Sequence, residues 1–314
     1  MNGIELSRLF FEEYGRDMIE KGFAPYREKI AAGLVGQGSE RYGYDDEHSK
    51  DHDFCAGFCI FVDNDTEKEI GFELMTAYRK LPREFMGVST RERTRSGKSR
   101  YGVVTYDGLF VPLVGNNYRH PTASDYLYTP QNYFADATNG SIFYDPSGIF
   151  TGIYNGIKNG MPEDVRLKKI SANAAIMAQS GQYNYARCLA HEEQGAAVFA
   201  LCEFVKSTSA LIYLLNRSFM PYYKWMLKGL SRLEILGNLS DSLEFLLTAD
   251  NDEHTRFIKS EIIEDVSAKV AEELKKKGLS SSDSDYLEEH AVSIASGISD
   301  VNIRNLHLLS GADV

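Results

Sequence analysis

Apolar residues recur at helical spacing from Ile4 to Lys21, through Leu6, Leu9, Phe10, Tyr14, Met18 and Ile19, and the pattern stops at Gly22. This predicts an N-terminal helix. The short apolar run Ile30–Val35 and the longer Phe54–Val62 (FCAGFCIFV) predict buried strands, and the β-branched and aromatic Tyr101–Tyr106 predicts another. Ser141–Tyr144 (SIFY) is a further short strand, closed by the turn residues Asp145-Pro146-Ser147-Gly148. Between the strands, Thr66–Leu81 has helical periodicity, with Thr66 as N-cap and Glu69 completing a capping box. Ser124–Ala137 is also helical, in one piece or in two around Pro130.

After about Asn159 the pattern changes. Glu163–Ser180, Asn184–Asn216, Tyr222–Leu236 and Ser240–Ala249 all carry helical periodicity. Phe257–Lys277 does too, with Ile258, Ile262, Val266, Val270 and Leu274 on one face. Ser280–Asp285 is a polar loop before the last helices. Strands alternating with helices, followed by helices alone, predict an α/β (α+β) mixed-sheet domain over 1–159 and an all-α helical bundle domain over 160–314. The length of 314 residues suits two domains.

Composition narrows the function. At 43% hydrophobic and 25% charged residues the chain is an ordinary globular protein. Its formal net charge of −11 disfavours a dedicated nucleic-acid binder, because phosphate neutralisation supplies most of that affinity. The N-terminus has acids where a secretion signal would be basic. The most apolar stretch, Ala196–Leu215, is broken by Glu203 and Lys206, so no membrane span and a cytoplasmic location are expected. Cys55, Cys59, Cys188 and Cys202 form no CxxC pair and read as buried free thiols.

The chemistry concentrates in Gly36–Phe54, GQGSERYGYDDEHSKDHDF. Gly38-Ser39 follows an apolar strand, and Asp51-His52-Asp53 directly precedes another. On an extended strand, residues two apart share a face, so Asp51 and Asp53 would present paired carboxylates while His52 points away. Paired carboxylates suit hard divalent cations. A glycine and a serine let backbone amides and a hydroxyl approach phosphate oxygens. Asp45 and Asp46 read as turn residues, and Ser49 as a brace for the loop.

Gly38-Ser39, eleven residues, then Asp51-x-Asp53 resembles the signature of the polymerase-β-type nucleotidyltransferase superfamily. GSERYGYDDEHSKDHDF, SGQYNYARC (Ser180–Cys188) and LLNRSFMPYYKW (Leu214–Trp225) are similar to an uncharacterised bacterial branch of it, a domain of unknown function. The resemblance covers most of the chain. It implies a nucleotidyltransferase domain followed by a helical substrate-side domain, Mg²⁺ or Mn²⁺ held by Asp51 and Asp53, and a nucleoside triphosphate donor, ATP first. Gly38 and Ser39 would contact the phosphates. The acceptor would be a hydroxyl of a small molecule or a protein. Helical domains of the superfamily often contribute to dimers, so a homodimer is compatible.

The sequence departs from that pattern in one respect. Superfamily enzymes usually add a third carboxylate on a nearby strand, and Tyr101–Tyr106 contains none. Asp107, just after it, is the first candidate and Asp145 the second. Without a third acid the chain would either be a nucleotide-binding sensor on the same fold or rely on a base from the helical domain. Lys98, in the basic loop Arg91–Arg100, is a candidate phosphate contact. That loop is not a P-loop, because Glu92 stands where the first glycine would be. By analogy with related transferases, Glu192 or Glu193 is a candidate general base and Lys224 a second phosphate contact. Trp225 is expected in the core. His52-Asp53 would suit a metal phosphohydrolase only on a helix, which the following strand-like run argues against.

Overall fold

The structure is a computed structural model and describes residues 1–45, 54–91 and 100–312. The chain divides into two compact units: 1–125 with 133–160, and 126–132 with 161–314.

In the first unit, α1 (Gly3–Phe10) runs through a π turn (Phe11–Gly15) into α2 (Arg16–Gly22). Asn2 caps α1 by accepting from the Glu5 amide while Glu5 reaches back to the Asn2 amide, so two orphan donors are satisfied reciprocally. The sheet is built from β1 (Ala31–Leu34), β2 (Cys59–Val62), β5 (Gly102–Thr105) and β6 (Ser141–Tyr144), in the order β5-β2-β1-β6. A two-stranded hairpin, β3 (Glu84–Phe85) and β4 (Val88–Ser89), stands apart from it. Strand β1 is antiparallel to β2 and β6, and β2 is parallel to β5. The C-terminal end of β1 therefore lies beside the starts of β2, β5 and β6. The ends of those three strands gather at the opposite edge.

Side chains alternate across the sheet. Ile60 and Val62 join Phe10, Phe11, Leu34 and Phe58 in one core. Phe61 points the other way and stacks on Phe150 at 4.3 Å. Phe150 lies in α8 (Ile149–Asn159), and Phe110, 5.6 Å from it, lies in α5 (Tyr106–Val114). Helices α3 (Ser39–Tyr42), α4 (Asn64–Lys80), α6 (Ala123–Tyr128) and α7 (Gln131–Ala137) complete the order.

Three expectations change. The strand expected at Phe54 begins at Cys59, and 54–58 is irregular backbone. Helix α4 starts before Thr66, because Asp63 is the N-cap and accepts from the Thr66 amide at 2.7 Å. Glu69 closes no capping box and instead accepts from the Tyr26 hydroxyl. Helix α5 had no periodic signal, because its run GLFVPLV is apolar throughout and interrupted by Pro112.

The second unit is helical: α9 (Glu163–Met177), a π segment (Ala178–Tyr185), α10 (Ala186–Ala190), α11 (Gln194–Leu215), α12 (Tyr223–Leu230), α13 (Ser240–Thr248), α14 (Glu253–Lys276), α15 (Leu287–Ser296) and α16 (Val301–Arg304). Helix α11 is long and apolar enough to cross a membrane, yet 72% of its most apolar window is buried in the protein. Its hydropathy is thus that of a core helix, with Phe204, Leu211 and Ile212 fully enclosed. Tight helix contact explains Gly181, where a Cβ would collide with Phe204. Trp225 is only half-buried, and Met226 and Leu230 fill the core in its place. Cys55 and Cys59 are buried and form no disulfide, but Cys202 is exposed.

Candidate functional site

The Gly-Ser motif forms a braced turn at the C-terminal end of β1. Gly36 is clamped by Asn139, whose Oδ1 accepts from the Gly36 amide at 2.9 Å and whose Nδ2 donates to the Gly36 carbonyl at 2.7 Å. Asn139 is brought there by the antiparallel pairing of β1 with β6, and the approach is close. A Cβ at Gly140 would strike the Leu34 carbonyl. Gly38 has φ 136°, a conformation glycine adopts without strain, and a Cβ there would hit the Glu40 carboxylate. Ser39 then opens α3 and remains partly exposed.

Beneath the turn lies a buried ion pair. Arg41 contacts Glu40 directly, and its guanidinium also donates to the Gln37 carbonyl at 2.7 Å, the Val35 carbonyl at 3.1 Å and the Arg100 carbonyl at 2.9 Å. The Tyr101 hydroxyl donates to Glu40 at 3.1 Å. These bonds offset the desolvation cost of two buried charges, and removing either partner would strand the other. They also tie the turn to the start of β5. On the other side, the Tyr42 hydroxyl donates to Asp136 at 2.6 Å, and Gln37 bonds the same carboxyl. Burial pushes the Asp136 carboxyl above the usual carboxylate range, and those two hydrogen bonds oppose the shift. Asp45 accepts from the Gly3 amide at the N-terminus of α1, consistent with a structural role.

The remaining sequence candidates fall elsewhere. Asp51, Asp53 and Lys98 lie outside the described residues, as do Asp46, Ser49 and His52. Among the described residues no three His, Cys, Asp or Glu side chains group as metal ligands. The structure does not bring Asp107 to Gly38 and Ser39. Asp107 sits past the end of β5, a strand length of about 13 Å from its start. There it accepts from Asn64 and Tyr118, both at 2.6 Å, and these bonds, Tyr118 first, hold its carboxyl below the usual range. Burial and that hydrogen bond push the Tyr118 hydroxyl up to about 12. Asp145 follows β6 at the same far edge and accepts from the Thr151 amide at 2.7 Å. Arg91, at one end of the basic loop, donates to the Tyr78 and Arg79 carbonyls that end α4, which is a helix-capping role.

Glu192 and Lys224 belong to the second unit, and both are exposed. Glu192 has φ 58° in the turn between α10 and α11. Lys224 follows Tyr222 and Tyr223, whose rings lie 4.2 Å apart. Asn139 and Asp136 were missed by sequence reasoning. The only trace of the first was the turn signal Asn139-Gly140, and nothing local marks Asp136 as a partner of Tyr42.

A groove of about 250 Å³ opens beside the turn in the first unit. Gly36, Gln37, Arg41 and Arg100 line one side, Cys59, Phe61 and Val104 of the sheet form its floor, and Leu109, Pro112 and Leu113 of α5 form the other side.

Residues 126–226, about a third of the chain, match a family described as Domain of unknown function (DUF4037). No curated protein matches. A solved nucleotidyltransferase-like protein from Exiguobacterium sibiricum is similar over 91% of this chain and 88% of its own, with 12% identity and a TM-score of 0.35. The architecture itself is a mixed α/β sheet domain followed by a largely helical region.

Proposed function

We propose that this protein is a metal-dependent nucleotidyltransferase, acting in the cytoplasm, that moves a nucleoside monophosphate from a nucleoside triphosphate to a hydroxyl of a small molecule or a protein. One observation carries the reading: the Gly38–Ser39 turn is braced at the sheet edge where β2 begins, and in the sequence Asp51-His52-Asp53 precedes β2 by five residues. The donor chemistry of two aspartates suits Mg²⁺ or Mn²⁺, which would neutralise triphosphate charge and acidify the acceptor hydroxyl.

In this reading Gly38 lets a phosphate approach the backbone, and Ser39 donates its hydroxyl to a phosphate oxygen. The acceptor oxygen bonds to the α-phosphorus, the bond to the β-phosphate oxygen breaks, and pyrophosphate leaves. Glu192 takes the acceptor proton, and Lys98 and Lys224 meet phosphate oxygens, roles that rest on the superfamily resemblance. The 1–159 segment is the catalytic domain and 160–314 the substrate-side domain, compatible with a homodimer.

A second reading is a nucleotide sensor without transfer. It is favoured by the acids described near the turn: Glu40 is paired with Arg41, Asp45 binds the Gly3 amide and Asp136 is held by Tyr42. The test is incubation with Mg²⁺, each α-labelled nucleoside triphosphate, and metabolite and protein extracts, with Asp51→Asn/Asp53→Asn as control. Label reaching an acceptor only with wild type supports the transferase. Nucleotide binding without pyrophosphate release, across a broad acceptor pool, selects the sensor.

A further inference from the structure

The groove beside the turn is chemically two-sided, and this restricts its occupant. Its turn side carries backbone of Gly36 and Gln37 with the guanidinium residues Arg41 and Arg100, whose charge Glu40 partly offsets. Its helix side, Leu109, Pro112 and Leu113, is apolar. Pro112 has no N–H, so the Gly108 carbonyl four residues earlier lacks its α-helical donor. Gly108 is itself exposed and lines the groove, which places a backbone acceptor among the apolar side chains. At about 250 Å³ the groove is smaller than the roughly 300 Å³ at which sites for whole drug-sized ligands begin, so it takes one part of a nucleotide.

We propose that this groove seats the base of the nucleotide whose phosphates lie on the Gly38–Ser39 turn; the proposal rests on the nucleotidyltransferase reading and extends it. The flat face of the base packs between α5 and the floor residues Phe61 and Val104, and a ring or amino N–H donates to the Gly108 carbonyl. The Gly36 end is continuous with the turn, so the ribose leaves the groove toward Ser39. A groove occupied by the acceptor instead is an outcome that the test separates.

Two measurements test it. The four common nucleoside triphosphates and inorganic tripolyphosphate are titrated with Mg²⁺ into wild type, Val104→Phe and Asp51→Asn/Asp53→Asn. Val104→Phe fills the groove and is expected to weaken the tightest triphosphate by about tenfold or more, the scale of one lost contact. Its tripolyphosphate affinity is expected to stay unchanged, whereas the double aspartate variant weakens both. Unchanged triphosphate binding by Val104→Phe overturns the groove proposal alone. Failure of wild type to bind any triphosphate overturns the nucleotidyltransferase reading with it.

The second measurement needs no variant and decides the matter if Val104→Phe does not fold. An azido-base analogue of the tightest triphosphate is photolysed on wild type and the protein is digested with trypsin. Cleavage after Arg100 and Arg119 releases peptide 101–119, which carries Val104, Gly108, Leu109 and Pro112. Label in that peptide, suppressed by excess parent triphosphate, is expected. Label confined to peptides other than this one, 30–41 with Gly36 and Gln37, and 51–68 with Cys59 and Phe61, overturns the proposal.

Discussion

The two edges of the central sheet use the same residue types for different ends. At the edge where β1 finishes, Asn139, Arg41 and Asp136 brace one turn, and Gly38 and Ser39 stay accessible above it. At the opposite edge, acids serve the helices and turns that follow the strands. Asp63 caps α4, Asp145 binds the Thr151 amide, and Asp107 joins Asn64 to Tyr118. An acid just after a strand is thus not yet an acid beside a site. Strand direction decides which edge it reaches, and β5 runs parallel to β2, away from the turn.

Neutralising acids on either side of the sheet in a transfer assay separates their roles most strongly. Asp51→Asn/Asp53→Asn is expected to cut label transfer by about 10³-fold or more, the loss of several kcal/mol of transition-state stabilisation. Asp107→Asn should stay within about threefold of wild type, the scale of a surface change. Equal losses from both would mean that the far edge takes part in the chemistry.

Asn139→Ala leaves both Gly36 backbone groups buried without their partner. A loss of about 2–3 kcal/mol in urea denaturation is expected. A smaller loss would show that the turn braces itself. At the far edge, Asp63→Ala removes only a helix cap and should cost about 1 kcal/mol by the same measurement, without lowering transfer activity.

The smallest effect is a pH dependence. Burial raises the Asp136 carboxyl, so the native state holds this proton more tightly than the unfolded chain does. Its contribution is full below the ordinary value near 3.8 and falls as pH climbs through the raised one. Melting temperatures of wild type and Asp136→Asn, measured from pH 4 to pH 7, should therefore diverge in the variant's favour as pH rises. Parallel curves would mean that Tyr42 and Gln37 compensate the burial fully.

Much of the layout was legible because it follows from local periodicity. The SIFY strand falls at Ser141–Tyr144 as its β-branched and aromatic content predicts. The change to helices near residue 160 follows from the loss of strand-like runs. Helix α5 was hidden because uniformly apolar residues around a proline carry no period. The expected cap at Thr66 gave way to Asp63, three residues earlier, because the backbone turns helical at Asn64.

By itself, the sequence determined most of the helical and extended segments, that Gly38-Ser39 follows a strand, and that eleven residues separate Ser39 from Asp51. Those are short-range properties of period, turn chemistry and spacing. Tertiary structure alone decided that Asn139, a hundred residues away, clamps Gly36, and that Asp107 and Asp145 lie at the other edge. Strand order and direction are set by pairing between distant segments, and no local pattern encodes which neighbour a strand will choose.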